Sequence, residues 1–226
     1  KTDVFMILEL GNHSSVFYSY NTFKADSVRN ADIESGMEAI EMLGNLSKYR
    51  GRGQSYKILK NSETNKMVVF DKIVFHQYRY EEDLNPQQWQ LKEETDTILG
   101  YPVQLATCSF GGRDFEAWFT TDIAVNNGPW KFGGLPGLIL KVEDAKRNYS
   151  FIINSIEKGN KPSRIEFPTG EIIQLSKADF LNLEEKSKRN FHEFSKNYLG
   201  IEATPINDAA KAAAKKVRPY NPIEWH

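Results

Sequence analysis

Along most of the first 170 positions, apolar and polar residues alternate with the two-residue period of half-buried β-strands. Residues 4–10 and 15–20 read as two strands joined by Gly11-Asn12-His13-Ser14, a turn composition. A charged segment follows in which Ile33, Met37, Ile40 and Leu43 recur at helical spacing, predicting one amphipathic helix laid over a sheet. The run Arg50-Gly51-Arg52-Gly53 ends it, either as a solvated loop or as a short basic contact for phosphate. Further strands are expected at residues 56–59, 67–70, 73–80, 89–98, 101–110 and 115–125, with Gly111-Gly112 closing the last pair into a hairpin. In that final strand Phe115, Ala117 and Phe119 share one face, and Glu116, Trp118 and Thr120 the other. Residues 138–143 and 149–156 repeat the hairpin plan around a turn at 145–148. A last pair, 164–167 and 171–175, flanks Pro168-Thr169-Gly170.

The period then changes. Ser176 and Asp179 have the spacing of a capping box, and Phe180, Leu183, Phe191 and Phe194 fall on one helical face. Residues 207–217 read as a basic Ala/Lys-rich helix. The pattern predicts an α+β fold: a large twisted antiparallel sheet, curved or half-barrel in one variant, with one covering helix and a C-terminal helical segment. With no low-complexity linker, the expectation is a single domain over 1–226: β-rich to 175, helical over 176–218, with an extended tail at 219–226.

Composition removes several classes of function. A net charge of −1 offers no global field for nucleic acid or an anionic membrane. No apolar run approaches the ~20 residues of a transmembrane helix, the longest being residues 137–142. Lys1 leads directly into a strand-like segment, and the absence of a signal peptide from the sequence is uninformative, since a mature chain would lack one anyway. Cys108 is the single cysteine, which excludes an intramolecular disulfide, a multi-cysteine zinc site and CxxC redox chemistry. His13, His76, His192 and His226 are scattered and show no metal spacing. GxSxG, Walker and GxGxxG motifs are missing, so no catalytic residue, metal ligand or cofactor is assigned.

The densest unusual stretch is residues 126–144, where four glycines and two prolines fall within the ten positions from Gly128 to Gly137. Pro136-Gly137 suits a type II turn and Gly133-Gly134 a close backbone approach, giving a tight loop that packs Trp130, Phe132 and Leu135 against the sheet. Lys131, between two aromatics, is expected to lay its stem over them and keep its ammonium in water. Arg113, Glu116 and Asp122 would converge if the hairpin sets them beside the loop. Arg113 would then either receive an anionic ligand or pair with a nearby carboxylate.

The run Gly134-Leu135-Pro136-Gly137-Leu138-Ile139 resembles the name-giving motif of the GLPGLI family of bacterial envelope proteins. The likeness extends to Ser15–Ser19, Glu94-Thr95 through Gly100-Tyr101, Gly112-Arg113, Ala117–Thr120, Asp122-Ile123 and Tyr220–Glu224. One departure is Val103, where relatives often carry a cysteine. The resemblance implies an exported protein, periplasmic or on the cell surface, of the Bacteroidetes lineage, made with a signal peptide and without an established activity. With the aromatic content, it supports a non-enzymatic protein that binds an apolar ligand or an envelope partner, through Arg113, Asp122, Trp130, Lys131, Phe132, Gly133, Gly134, Leu135, Pro136 and Gly137. The alternatives are a hydrolase or transferase with a polar site near Arg113, Glu116 and Asp122, and a structural or assembly component.

Overall fold

In the computed structural model, residues 3–49, 53–74, 76–159, 170–200 and 217–225 are described. Eleven strands among them form two sheets. The first has the order β1 (Met6–Leu10), β2 (Ser14–Ser19), β3 (Lys57–Asn61), β4 (Lys66–Ile73), β5 (His76–Asp83) and β11 (Ile172–Gln174). It is antiparallel except for β11, which runs parallel to β5. The second has the order β10 (Ser150–Ile152), β9 (Leu138–Asp144), β8 (Arg113–Thr120), β7 (Tyr101–Phe110) and β6 (Gln90–Ile98), antiparallel throughout. The fold is thus α+β as the pattern predicts, with its strands shared between two open sheets rather than laid in one.

The hairpins follow from local sequence. Gly111 and Gly112 both have positive φ (56° and 73°) between the paired residues Phe110 and Arg113, as a two-residue type I′ turn requires. Inward-facing residues of both sheets then meet in one core: Phe17, Ile58, Met67, Val69 and Tyr80 from the first, Ala106, Phe115, Ala117, Phe119 and Val142 from the second. Alternate residues such as Val16, Tyr18, Leu59 and Phe70 form a smaller cluster on the outer face of the first sheet.

The covering helix is two helices. α1 (Tyr20–Glu34) begins well ahead of the apolar spacing, capped by the Ser19 hydroxyl, and stops where Gly36 takes φ 70°. α2 (Ala39–Ser47) follows and is tied back by Asn45 Nδ2, which donates to buried Asp32 at 3.1 Å. Ile33, Ile40 and Leu43 remain exposed, so the apolar spacing does not mark a core face here. At the other end, α3 (Lys177–Arg189) starts on the expected cap, Ser176 Oγ accepting from Asp179 N at 3.1 Å. Asn190 breaks the helix and its side chain caps α4 (Phe191–Leu199). That break separates the proposed apolar face: Phe180 and Phe194 enter the core, whereas Phe191 is exposed. The expected strand at 164–167, the helix at 207–217 apart from Val217, and most of the 50–53 run lie outside the described residues.

Candidate functional site

The loop of residues 126–137 is a plug between the sheets. Trp130, Phe132 and Leu135 are 4%, 0% and 1% exposed, and Phe132 packs edge-on against Phe115 with ring centroids 4.8 Å apart. Its glycines serve needs different from those expected. Gly137 lacks positive φ; a Cβ there would lie 2.0 Å from the Thr120 carbonyl oxygen, so its small size permits a backbone contact. Its N–H donates to Leu135 O at 2.8 Å, closing a γ-turn around Pro136 where a type II turn was expected. The left-handed positions are Gly134 (φ 85°) and, without the tolerance of glycine, Trp130 (φ 49°).

Three buried cations hold this plug and the segment 217–225. Lys131 is 1% exposed, which corrects the expectation of a wet ammonium. Its Nζ meets Glu224 Oε2 at 2.5 Å and also pairs with Glu82. Lys177 pairs with the same two carboxylates, with Glu82 Oε2 at 2.5 Å. Two ammoniums and two carboxylates therefore alternate in a closed, neutral ring, with Lys131 lying 5.0 Å from the Tyr80 ring centroid and 5.3 Å from that of Trp130. Removing each such ion from water costs several kcal/mol, and the ring offsets this because every charge touches two of opposite sign. It joins β5, the loop, the start of α3 and the 217–225 segment.

Arg113 makes the second clamp. Its guanidinium donates to Asp144 Oδ2 at 3.1 Å, Asn221 Oδ1 at 2.5 Å and Pro222 O at 2.9 Å. Trp225 N donates to Gly111 O at 2.8 Å beside it. Burial pushes the Asp144 carboxyl up, but hydrogen bonds from Tyr149 and Asn148 and the Arg113 charge outweigh it and hold it below the usual range. Lys60 is the third cation. From β3 its Nζ donates to Phe132 O at 2.6 Å, Gly128 O at 2.9 Å and Asn127 Oδ1 at 3.1 Å, and burial lowers its pKa to about 7.

The proposed trio does not assemble. Arg113 is buried on the inner face of β8, Glu116 is exposed on the opposite face, and Asp122 lies exposed beyond the far end of the strand. Strand rise puts Arg113 and Asp122 more than about 20 Å apart. Of the loop positions named from the sequence, Gly134 and Pro136 are exposed, and Trp130, Lys131, Phe132, Gly133, Leu135 and Gly137 are buried. Cys108 sits in the core, where burial pushes its thiol up to about 12 and keeps it protonated. Among the described residues, no group of three or more His, Cys, Asp or Glu is placed to hold a metal ion. No helix among them is long and apolar enough to cross a membrane. Lys60, Glu82, Asp144, Lys177 and Glu224 were not singled out by sequence reasoning. The available signal was weak: a lysine directly after two apolar residues in a strand, as at Ile58-Leu59-Lys60, and an acid beside an aromatic, as at Glu224-Trp225.

Comparison with known proteins changes the family. The model that matches, over residues 54–181, is that of the N-glycanase peptide, N-terminal domain. This overturns the GLPGLI resemblance, and with it the non-enzymatic binding of an apolar ligand or envelope partner, since the matching family is one of hydrolases. The physical reason lies in the motif: Gly134 and Gly137 answer local backbone demands, which a short Gly/Pro run can meet in unrelated chains. A structure of PNGF-II in the P21 space group is similar at 16% identity and a TM-score of 0.48, covering 84% of this chain and 30% of that one. A structure of PNGF-II in the C2 space group is similar at 16% identity and a TM-score of 0.49, covering 83% and 31%. The chain thus spans about 30% of the length of these structures. No curated protein matches it.

Proposed function

The chain belongs to the N-glycanase peptide, N-terminal domain family, and from that premise we propose that it works in the hydrolytic release of N-linked glycans from peptides. The observation that carries this reading is the extent of the match. Residues 54–181 run from just before β3 into α3, and take in the inner strands of both sheets, the buried loop, Lys60, Arg113 and three members of the charge ring. In this reading the three buried cations provide rigidity, holding the loop and the 217–225 segment in one arrangement against which a glycopeptide is positioned. Glu82 and Glu224 are each committed to two ammoniums and serve as struts rather than as proton carriers.

N-linked glycans are carried by proteins that have left the cytoplasm, so the place of action is outside it, periplasmic or at the cell surface. A fold with a single buried thiol works there without disulfide chemistry. Incubating the purified chain with an N-glycosylated peptide and with its bare counterpart, followed by mass spectrometry, tests the reading. Release of the glycan, or a complex formed with the glycosylated peptide alone, is expected. Equal indifference to both peptides sinks it.

A further inference from the structure

The segment 217–225 belongs to neither sheet and to no helix, yet side chains from β8, the plug, the turn before β10 and α3 hold it along its length. Two consecutive carbonyls are met: Tyr149 Oη donates to Asn221 O at 2.6 Å, and Arg113 Nε to Pro222 O at 2.9 Å. N–H groups are met at both ends, Arg218 N donating to Arg189 O and Trp225 N to Gly111 O, each at 2.8 Å. Side chains are met as well. Arg113 donates to Asn221 Oδ1, Tyr220 Oη donates to Glu184 Oε2 at 3.0 Å, and Glu224 closes the charge ring. The turn glycines leave room for the segment: a Cβ on Gly111 would lie 2.8 Å from Glu224 Cγ, and one on Gly112 3.1 Å from Trp225 Cδ1. Folded domains hold extended peptides in this way, meeting main-chain groups one by one and sinking a chosen side chain into a matching socket.

The sequence of the segment suits a separable ligand. Pro219 and Pro222 fix their own φ and push the residue before each toward an extended backbone, so little chain entropy is lost on seating. Pro222 and Glu224 are buried, Ile223 packs against the core, and Arg218, Asn221 and Trp225 stay exposed. The seat is matched in charge to one carboxylate. Without the segment, Arg113, Lys131 and Lys177 face only Glu82 and Asp144, and Glu224 supplies the missing anion. We propose that this seat is a peptide-recognition site, filled here by the chain's own Asn221-Pro222-Ile223-Glu224, and that its other occupant is the same run from a second copy of the chain. Every copy carries both the seat and the run that fits it. Exchange between copies keeps each of these contacts and changes only which chain supplies the segment.

The probe is a fluorescein-labelled peptide with the sequence of residues 217–226, titrated by anisotropy into the whole chain. The tethered segment competes with it at an effective concentration of about a millimolar, so the native chain is expected to bind the probe weakly. Asn221→Ala removes one contact of the tethered segment and leaves the seat intact. It is expected to raise probe affinity several-fold, and Glu224→Gln by about tenfold, because a weaker tethered segment competes less. The same Glu224→Gln change placed in the probe is expected to lower its affinity by the same factor. Thermal melting shows which variants are folded, and Asn221→Ala, at an exposed position, carries the test if Glu224→Gln does not fold. Probe affinity that is unchanged or lowered in Asn221→Ala overturns the recognition site, as does a probe that tolerates its own Glu224→Gln change. Light scattering then tests the second copy. Refolding from urea at high protein concentration is expected to give a dimer that excess unlabelled peptide returns to monomer. A chain that stays monomeric, or a dimer that the peptide leaves intact, overturns the exchange.

Discussion

The loop at 126–137 and helix α2 invert the usual relation between composition and burial. The loop is rich in Gly and Pro, carries a lysine, and fills the middle of the core, with Lys131 1% exposed. Helix α2 has the apolar spacing of a core-facing helix, yet Ile40 is 76% and Leu43 52% exposed. Hydrophobicity alone does not decide which segment is buried. A segment is buried when something complementary stands opposite it. The loop finds Phe115 for its Phe132 and carboxylates for its lysine, whereas α2 is held mainly through α1.

Four substitutions probe this contrast, each read by urea unfolding of the whole chain. The largest effect is expected for Lys131→Ala, which leaves two buried carboxylates to share Lys177. About 3–5 kcal/mol should be lost, and a loss under 1 kcal/mol would mean that the ring does not hold the loop. Lys60→Met leaves the Gly128 and Phe132 carbonyls without their donor and should cost about 2–3 kcal/mol. Gly137→Ala drives a methyl into the Thr120 carbonyl and should cost roughly 1–3 kcal/mol, toward the upper end because the obstacle is backbone. Ile40→Ser on α2 should stay within about 0.5 kcal/mol. A larger loss there would show that α2 is covered in solution.

Lys60 also gives the contrast a pH signature. Its pKa is lowered by burial to about 7 from 10.5, so between those values the unfolded chain holds a proton that the folded chain has released. Unfolding then takes up a proton, and Lys60's contribution to stability rises with pH across this window. That contribution is complete above 10.5 and is lost as pH falls through 7. In Lys60→Met this part of the rise should vanish, and an unchanged pH profile would place the lysine in water.

Local chemistry was readable wherever neighbours in sequence are neighbours in space. The Gly111-Gly112 turn, the alternation of Phe115, Ala117 and Phe119, and the Ser176 cap each depend on a few adjacent residues. Alternation on a strand also forbids Arg113 and Glu116 from sharing a face, a restriction already present in the spacing that joined them as candidates. The charge ring was unreadable because Glu82, Lys131, Lys177 and Glu224 have no common periodicity and meet only when four elements pack.

By itself, then, the sequence determined the α+β class, most strand positions, the two-glycine hairpin, the cap of α3 and the burial of Trp130, Phe132 and Leu135, since periodicity and turn chemistry act over a few residues. Tertiary structure alone decided that the strands divide into two sheets, that Lys60, Lys131 and Arg113 are buried, and that Ile40 and Leu43 of α2 stay in solvent. Those outcomes depend on what stands opposite each segment across the core, and desolvation makes a charge or an apolar face follow its partner rather than its own composition.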